Sequence, residues 1–301
     1  METRRLHLLL ELSRLGSMRA VAEAVGTSTS TVSQQLAVLA RETGAALIEP
    51  HGRLVRLTPA GRRLAEHAES ILAAVEAARL DLAPGAEPGG TLRVAGFATA
   101  IRAHLLPVVT ELADAHPGVR ILVSEHEPVE ALQLLAEDET DLALVYDYDL
   151  APAVFGPALH ATPLWTAPWG LGVPAAAEEP GRPGTSAEVF ARYRTYDWIV
   201  NSRNTADETV VRTLASLAGF TPRVTHRADS LDLVQGMITA GLGVGLLPTG
   251  APLSPGVRLV PLTGPGATLR AYALARRGRL DWPPLALVTE LLVRRVAGEG
   301  R

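Results

Sequence analysis

Ser28-Thr29-Ser30-Thr31-Val32-Ser33-Gln34-Gln35-Leu36-Ala37-Val38-Leu39-Ala40 divides its apolar and polar residues between two faces of a helix. Val32, Leu36 and Leu39 recur at i, i+4 and i+7, which places them on one stripe facing a core. Thr29, Ser30, Ser33 and Gln34 fall on the opposite face. Their side chains are short, uncharged and rich in donors and acceptors, the kind that fits a major groove and meets phosphates or base edges. Ser28 is the predicted N-cap, Ser17 caps a short predicted helix from Met18 to Val25, and Gly26 supplies the permissive backbone of a tight turn. A buried helical hairpin without any nucleic-acid role has the same periodicity. The flanks decide between the two.

Thr3 to Leu15 reads as a first helix with an apolar side of Leu6, Leu9, Leu10 and Leu12, ended by Gly16. After Gly44 the period changes, and Ala45 to Ile48 and Leu54 to Leu57 are strand-like runs joined by a His51-Gly52-Arg53 turn. This is a wing. Arg53 and Arg56 are candidate contacts to phosphate or the minor groove, although two exposed arginines also suit a merely solvated surface. Thr58-Pro59 opens a long helix, with Thr as N-cap and Pro at the first helical position. Along it Leu64, Ala68, Ile71, Val75, Ala78 and Leu82 alternate spacings of four and three, a heptad seam expected to pair with a second chain rather than cover its own core. Pro84 to Gly90 is a hinge-like linker.

Composition bounds the function. The 301 residues leave room for two or three compact units, and no apolar run approaches the roughly 20 residues of a membrane span. The start, Met1-Glu2-Thr3-Arg4-Arg5, leads into an amphipathic helix without a signal-peptide pattern, so a cytoplasmic location is expected. There is no cysteine, which excludes disulfides, thiolate nucleophiles and cysteine-ligated zinc. There is no lysine either, which excludes Schiff-base chemistry and a Walker-type phosphate loop. A net charge of -4 confines any DNA contact to a local patch.

From Thr91 onward strands and helices alternate, the punctuation of a mostly parallel sheet with helices on its faces. Strands are expected at Thr91 to Ala95, Val119 to Ser124, Asp141 to Tyr146, Gly170 to Val173, Trp198 to Asn201, Arg223 to His226 and Val244 to Leu247. A last helix, about Leu285 to Val296, is expected to pack on the first of two α/β lobes. A ligand cleft belongs at the carboxyl ends of the parallel strands, between the lobes. In the first lobe that rule selects Phe97, Thr99, Ala100, Arg102, Tyr146 and Asp147, and in the second Asn201, Ser202, Arg203, His226 and Arg227. Thr99 and the N–H groups after it, with Arg102 and Arg203, predict a small carboxylate as effector, whereas Asp147 would instead suit an amine.

Gly16-Ser17-Met18-Arg19-Ala20-Val21-Ala22, Val32-Ser33-Gln34-Gln35-Leu36 and Leu57-Thr58-Pro59-Ala60-Gly61 follow one another in the N-terminal part. Leu105-Leu106-Pro107, His116-Pro117-Gly118-Val119, Asp141-Leu142-Ala143-Leu144 and Ala240-Gly241-Leu242-Gly243-Val244-Gly245-Leu246-Leu247-Pro248 follow further on. In this order the motifs resemble LysR-type transcriptional regulators, end to end. The resemblance implies an N-terminal, largely α-helical winged helix-turn-helix (1–58), a linker helix that dimerises (59–83) and a hinge (84–90). It implies a C-terminal α/β effector domain of two lobes like type 2 periplasmic binding proteins, lobe I being 91–162 with 266–301 and lobe II 163–265. A homodimer or homotetramer, an operator with an interrupted inverted repeat and a small-molecule effector are implied too, with no metal, cofactor or catalytic residue. Relatives usually carry Leu-Glu at the end of the recognition helix and an arginine at the start of the wing, where this chain has Leu39-Ala40 and Ile48-Glu49-Pro50. Joint loss of an acid and a base leaves no unpaired charge but removes one cation near the phosphates, a role Arg53 is then expected to take.

Two other classes compete. Against an enzyme stands the lack of a G-x-S-x-G elbow, an HExxH or a P-loop. Gly241-Leu242-Gly243-Val244-Gly245 follows a helix and leads into a strand, the reverse of a dinucleotide loop, so these glycines are expected to serve close backbone packing. His160 and His226 suit structural or ligand-contacting roles. A solute-binding protein would suit the two lobes alone, but not the fused N-terminal unit.

Overall fold

The computed structural model describes residues 1–51, 54–82, 87–177 and 184–299. Its N-terminal unit holds α1 (Thr3–Leu15), α2 (Met18–Ala24) and α3 (Thr29–Thr43), then β1 (Ile48–His51) paired antiparallel with β2 (Leu54–Leu57). The caps are local chemistry. Ser17 accepts from the Ala20 N–H, Ser28 accepts from the Thr31 N–H, and Gly16, Gly26 and Gly44 take the left-handed backbone where chain direction changes. Val32, Leu36 and Leu39 are buried with Leu6, Leu9 and Leu12 of α1 and Val21 of α2. The first wing strand starts three residues later than the period suggested. Ala45 still belongs to the α3 terminus, its N–H bonded to the Ala40 carbonyl, and Leu47 is drawn into the core.

The linker helix α4 (Pro59–Leu82) starts where Thr58 accepts from the Gly61 N–H and donates to the Ala46 carbonyl. Its seam is not wholly free for a second chain. Ala68 is completely buried in the N-terminal core, and Leu64 and Ile71 pack against that core beside α1. The first half of the helix therefore covers its own domain, because α1 presents a leucine face too wide for α2 and α3 alone. Ala78 and Leu82 remain exposed and Val75 half-buried.

The C-terminal part runs β3 (Gly90–Gly96), α5 (Ala98–Ala100), a π-helical turn (Ile101–Leu105), α6 (Leu106–Ala115), β4 (Val119–Glu125), α7 (Pro128–Ala136) and β5 (Leu142–Tyr148). Then come β6 (Leu159–Pro174), α8 (Ser186–Arg192), β7 (Asp197–Val200), α9 (Ala206–Leu217), β8 (Arg223–Arg227) and α10 (Leu231–Thr239). The chain ends with β9 (Val244–Pro248), β10 (Val257–Pro261), β11 (Ala267–Arg276), a 3-10 turn (Arg277–Arg279) and α11 (Pro283–Glu299). Among the described residues the strands form one nine-stranded sheet in the order β4-β3-β5-β11-β6-β9-β7-β8, with β10 beside β6.

That sheet is mixed, not mostly parallel. β3 lies parallel to β4 and β5, and β7 parallel to β8 and β9, but the two parallel blocks are joined through antiparallel β11 and β6. β6 is one strand of 16 residues, so the boundary expected at 162/163 falls inside a continuous strand that passes from one lobe to the other. The strands β10 and β11 and the first half of β6 escape a pattern search. In β11 the inward positions include Ala267, Ala271, Ala273 and Ala275, too small to give a strong alternation, and Pro163 and Pro168 interrupt β6. The last helix packs on β3 and α6 of the first lobe, as expected. Gly243 does serve close packing: a Cβ there would run into the Asp197 carbonyl.

Candidate functional site

On α3 the polar face points to solvent, with Thr29, Ser30, Ser33 and Gln34 all exposed. Ser30 shares a 2.8 Å hydrogen bond with the capping Ser28 hydroxyl, which fixes it at the helix start. Arg5 holds α1 against the back of α3, donating to Gln35 at 2.9 Å and to Glu42 at 2.6 Å. Arg56 is not a spare cation on the wing: its Nε donates to Glu49 at 2.7 Å, directly across the β1–β2 register. Arg53 lies outside the described residues.

The second site is built where strands end between the lobes. Tyr146 and Tyr148, two apart on β5, share one face, and Asp147 between them takes the other. Tyr146 donates to Glu127 at 3.0 Å and receives the Asn201 amide at 3.4 Å, so one hydroxyl joins both lobes. Phe97 stands edge-on to Tyr146 with ring centroids 4.8 Å apart, and Tyr148 edge-on to Trp169 at 5.5 Å. Asn201 accepts from the N–H groups of Arg203 and Asn204, which fixes the loop ahead of α9. Arg203 pairs with Asp229 of its own lobe at 2.8 Å and reaches across the cleft to Glu130 at 3.3 Å and Glu125 at 3.5 Å.

The electrostatics are acidic. Burial raises the Glu127 carboxyl above its ordinary value against the opposing bond from Tyr146, and burial pushes the Asp207 carboxyl up to about 7. Burial also acts on Asp229, but hydrogen bonds from Ser202 and Arg203 prevail and hold it low. The buried Tyr148 hydroxyl is the hydrogen-bond partner of the Asp207 carboxyl, so a residue of each lobe shares this contact. The Asn204 side chain is in turn a hydrogen-bond partner of the Tyr146 hydroxyl.

Residues 3–62 match the bacterial regulatory helix-turn-helix protein, lysR family, and residues 85–297 match the LysR substrate binding domain. The chain belongs to the LysR family. It is a DNA-binding transcriptional regulator with an effector-binding domain, as that family is. Bacillus subtilis GltC, a transcriptional dual regulator, is 25% identical over 265 residues, covering 82% of this chain and 81% of GltC. Full-length OxyR from Pseudomonas aeruginosa shares the fold, with TM-score 0.66 at 20% identity over 98% of this chain and 94% of that one. CbnR complexed with its target DNA shares it too, with TM-score 0.52 at 22% identity over 99% and 100%. Among the described residues, no helix is long and apolar enough to cross a membrane and no group of acids and histidines is arranged for a metal ion.

Within this LysR-family frame, the structure brings Phe97, Tyr146, Asn201, Ser202 and Arg203 together, Ser202 sharing Asp229 with Arg203, and places the rest elsewhere. Asp147 is turned away from the cleft, where both its oxygens take the Arg270 guanidinium at 2.8 and 2.7 Å. Arg227 is paired with Glu208 at 2.7 Å. His226 stands opposite Ile199 in the sheet, near Asp197. Thr99, Arg102 and Ser202 are exposed, and Ala100 is wholly buried in the core. Glu127, Tyr148, Asn204 and Asp207 were missed. The strand-end rule reaches Glu127 when it is applied to β4, two residues past Glu125. Asp207 carries no such signal, since its burial depends on a tyrosine from the opposite lobe. A cavity of about 550 Å³ lies elsewhere, between α1, α4 and the Arg279-Trp282 turn.

Proposed function

We propose that this LysR-family regulator reads its operator through Thr29, Ser33 and Gln34 of α3 and senses a small effector in the cleft where Tyr146 joins Glu127 to Asn201. The observation that carries the reading is that this hydroxyl takes a partner from each lobe. A ligand that displaces either bond changes how the lobes close, and closure is the two-state element that an effector biases. The unengaged part of the α4 seam, Val75, Ala78 and Leu82, supplies a dimer contact, which matches an inverted-repeat operator. Of the groups expected to hold a carboxylate effector, Arg203 is already committed to three acids, which leaves Thr99 and Arg102. A thiol response to peroxide, suggested by relatives named hydrogen peroxide-inducible genes activators, is closed to a chain with no cysteine.

Gel retardation of DNA upstream of its own or a neighbouring gene tests the reading. Gln34→Ala is expected to cost about 1–3 kcal/mol on the cognate site and little on random DNA, since an amide pairs bidentately with adenine. Equal loss on both would assign Gln34 to the phosphates. Asn201→Ala is expected to retain DNA binding but lose the response to the inducing metabolite.

A further inference from the structure

Gln34 and Arg41 stand seven residues apart on α3, two helical turns and so almost in line, about 10 Å along the axis. Ser30 and Ala37 fall within the same stripe. All four are exposed, opposite the buried Val32, Leu36 and Leu39. The polar face of α3 therefore does not stop at Gln34. It ends in a cation, set apart from the other polar side chains by Ala37.

A separate observation concerns the charge around it. Residues three and four places away on a helix are the natural ion-pair partners, and for Arg41 these positions hold Ala37, Val38, Gly44 and Ala45. The adjoining acid, Glu42, is drawn toward α1, where Arg5 donates to it at 2.6 Å and the amino terminus lies 3.9 Å away. Other arginines of the N-terminal unit are engaged. Arg14 meets Glu11 at 3.1 Å, Arg19 meets Glu23 at 2.8 Å, Arg56 meets Glu49 at 2.7 Å, and Arg62 donates to the Leu57 carbonyl at 2.9 Å. Among the described residues, Arg41 has neither a hydrogen-bond nor an ion-pair partner, and it is the single arginine of α3.

We propose that Arg41 binds a backbone phosphate at the rim of the major groove that α3 enters, and so holds the helix in the register that Gln34 reads. In a helix-turn-helix the first residues of the second helix contact base edges, so the far end of the same face rises toward the sugar-phosphate rim. There a guanidinium meets phosphate oxygens, which it can take two at a time, and no base. The assignment rests on reading α3 as the element that enters the groove, and it adds a contact that carries affinity without sequence preference. On a chain of net charge -4, one unpaired cation at this place weighs more than it would on a basic protein.

The test titrates the full-length protein with two duplexes of equal length, the fragment upstream of its own gene and a random sequence, at about 50 to 200 mM salt. Arg41→Ala is expected to weaken both by the same factor, about threefold or more, and to lower the slope of log K against log salt by about 0.9 for each subunit on the DNA. Arg41→Lys keeps the charge and is expected to keep the slope. Arg4→Ala removes an exposed arginine of α1 beside the cavity next to α4, and is expected to leave the slope unchanged. A wild-type slope in Arg41→Ala would overturn the proposal. So would a loss confined to the upstream fragment, which would make Arg41 a base reader, or an equal drop in Arg4→Ala, which would make the effect one of net charge. Weaker binding at an unchanged slope, together with a lower Tm of the N-terminal unit, would also overturn it and leave Arg41 a cation that only steadies the last turn of α3. Gln34→Ala is scored beside these variants. If it is neutral on the upstream fragment while Arg41→Ala lowers the slope on both, base reading by Gln34 fails and the phosphate contact stands.

Discussion

Arg276, the last residue of β11, sets its Nη2 3.0 Å from the Glu69 Oε1 of the linker helix, with both side chains largely buried. The pair ties the DNA-binding unit to the effector domain, and it sits in a denser network. Asp138 gathers Arg14, Arg93 and Arg276, while Asp141 takes Arg93 at 2.8 Å and also Arg279. Asp138 adopts φ 61, a conformation unusual outside glycine, and its carbonyl accepts from Arg93 at 2.7 Å. Such a network holds the effector domain against α4 through Glu69, which also meets Arg14 and Arg279. Removing one partner of a buried pair costs about 3–5 kcal/mol when no water reaches the orphan, and less at this partial burial. In a double-mutant cycle of Glu69→Gln and Arg276→Gln, the coupling energy from urea unfolding is expected to exceed about 1 kcal/mol. A value near zero would mean the contact is passive.

Glu49 pairs with Arg56 on the exposed wing and competes with phosphate for the arginine. Glu49→Ala is expected to tighten DNA binding and to steepen the dependence of log K on log salt by about 0.9, the release of one counterion. Arg56→Ala is expected to change that slope little. A large loss in Arg56→Ala would show that the arginine leaves Glu49 for the phosphates.

Charge placed on the two halves of the linker helix is expected to fail differently. Ala78 is exposed, so Ala78→Glu leaves a monomer folded and disrupts only a paired helix. Light scattering is expected to show a shift toward monomer with an unchanged melting temperature for the N-terminal unit. Ala68→Glu would bury a charge in the N-terminal core and is expected to unfold that unit. An Ala78→Glu protein of unaltered mass would place the dimer contact elsewhere.

Asp207 gives the fold a pH signature. An acid whose folded pKa lies above its unfolded value binds protons more tightly in the native state, so stability falls as pH rises from about 4 and levels off above the folded value near 7. Asp207→Asn removes this loss. The Tm of the variant is expected to exceed that of the wild type by a margin that grows from pH 5 to 7 and is constant beyond. A margin independent of pH would show that the carboxyl stays ionised in the fold.

How far the primary structure reaches differs between the two ends of the molecule. Helices α1 to α3 and their caps were legible because caps, left-handed glycines and 3.6-residue stripes act over four or five neighbours. The polar face of α3 followed from the same periodicity. The effector domain showed its parallel strands and βα punctuation, but not β10, β11 or the full length of β6, whose alanines and prolines blur the period of two. Only the tertiary structure decided that Ala68 belongs to the core of its own chain, that Asp147 turns toward Arg270 while its neighbours Tyr146 and Tyr148 face the cleft, and that Arg203 is shared between Asp229 of its own lobe and Glu125 and Glu130 of the other. The physical reason is range. Backbone preference is written in adjacent residues, whereas ionisation and burial at Glu127 and Asp207 depend on partners dozens of residues away, brought within bonding distance only when the two lobes close on each other.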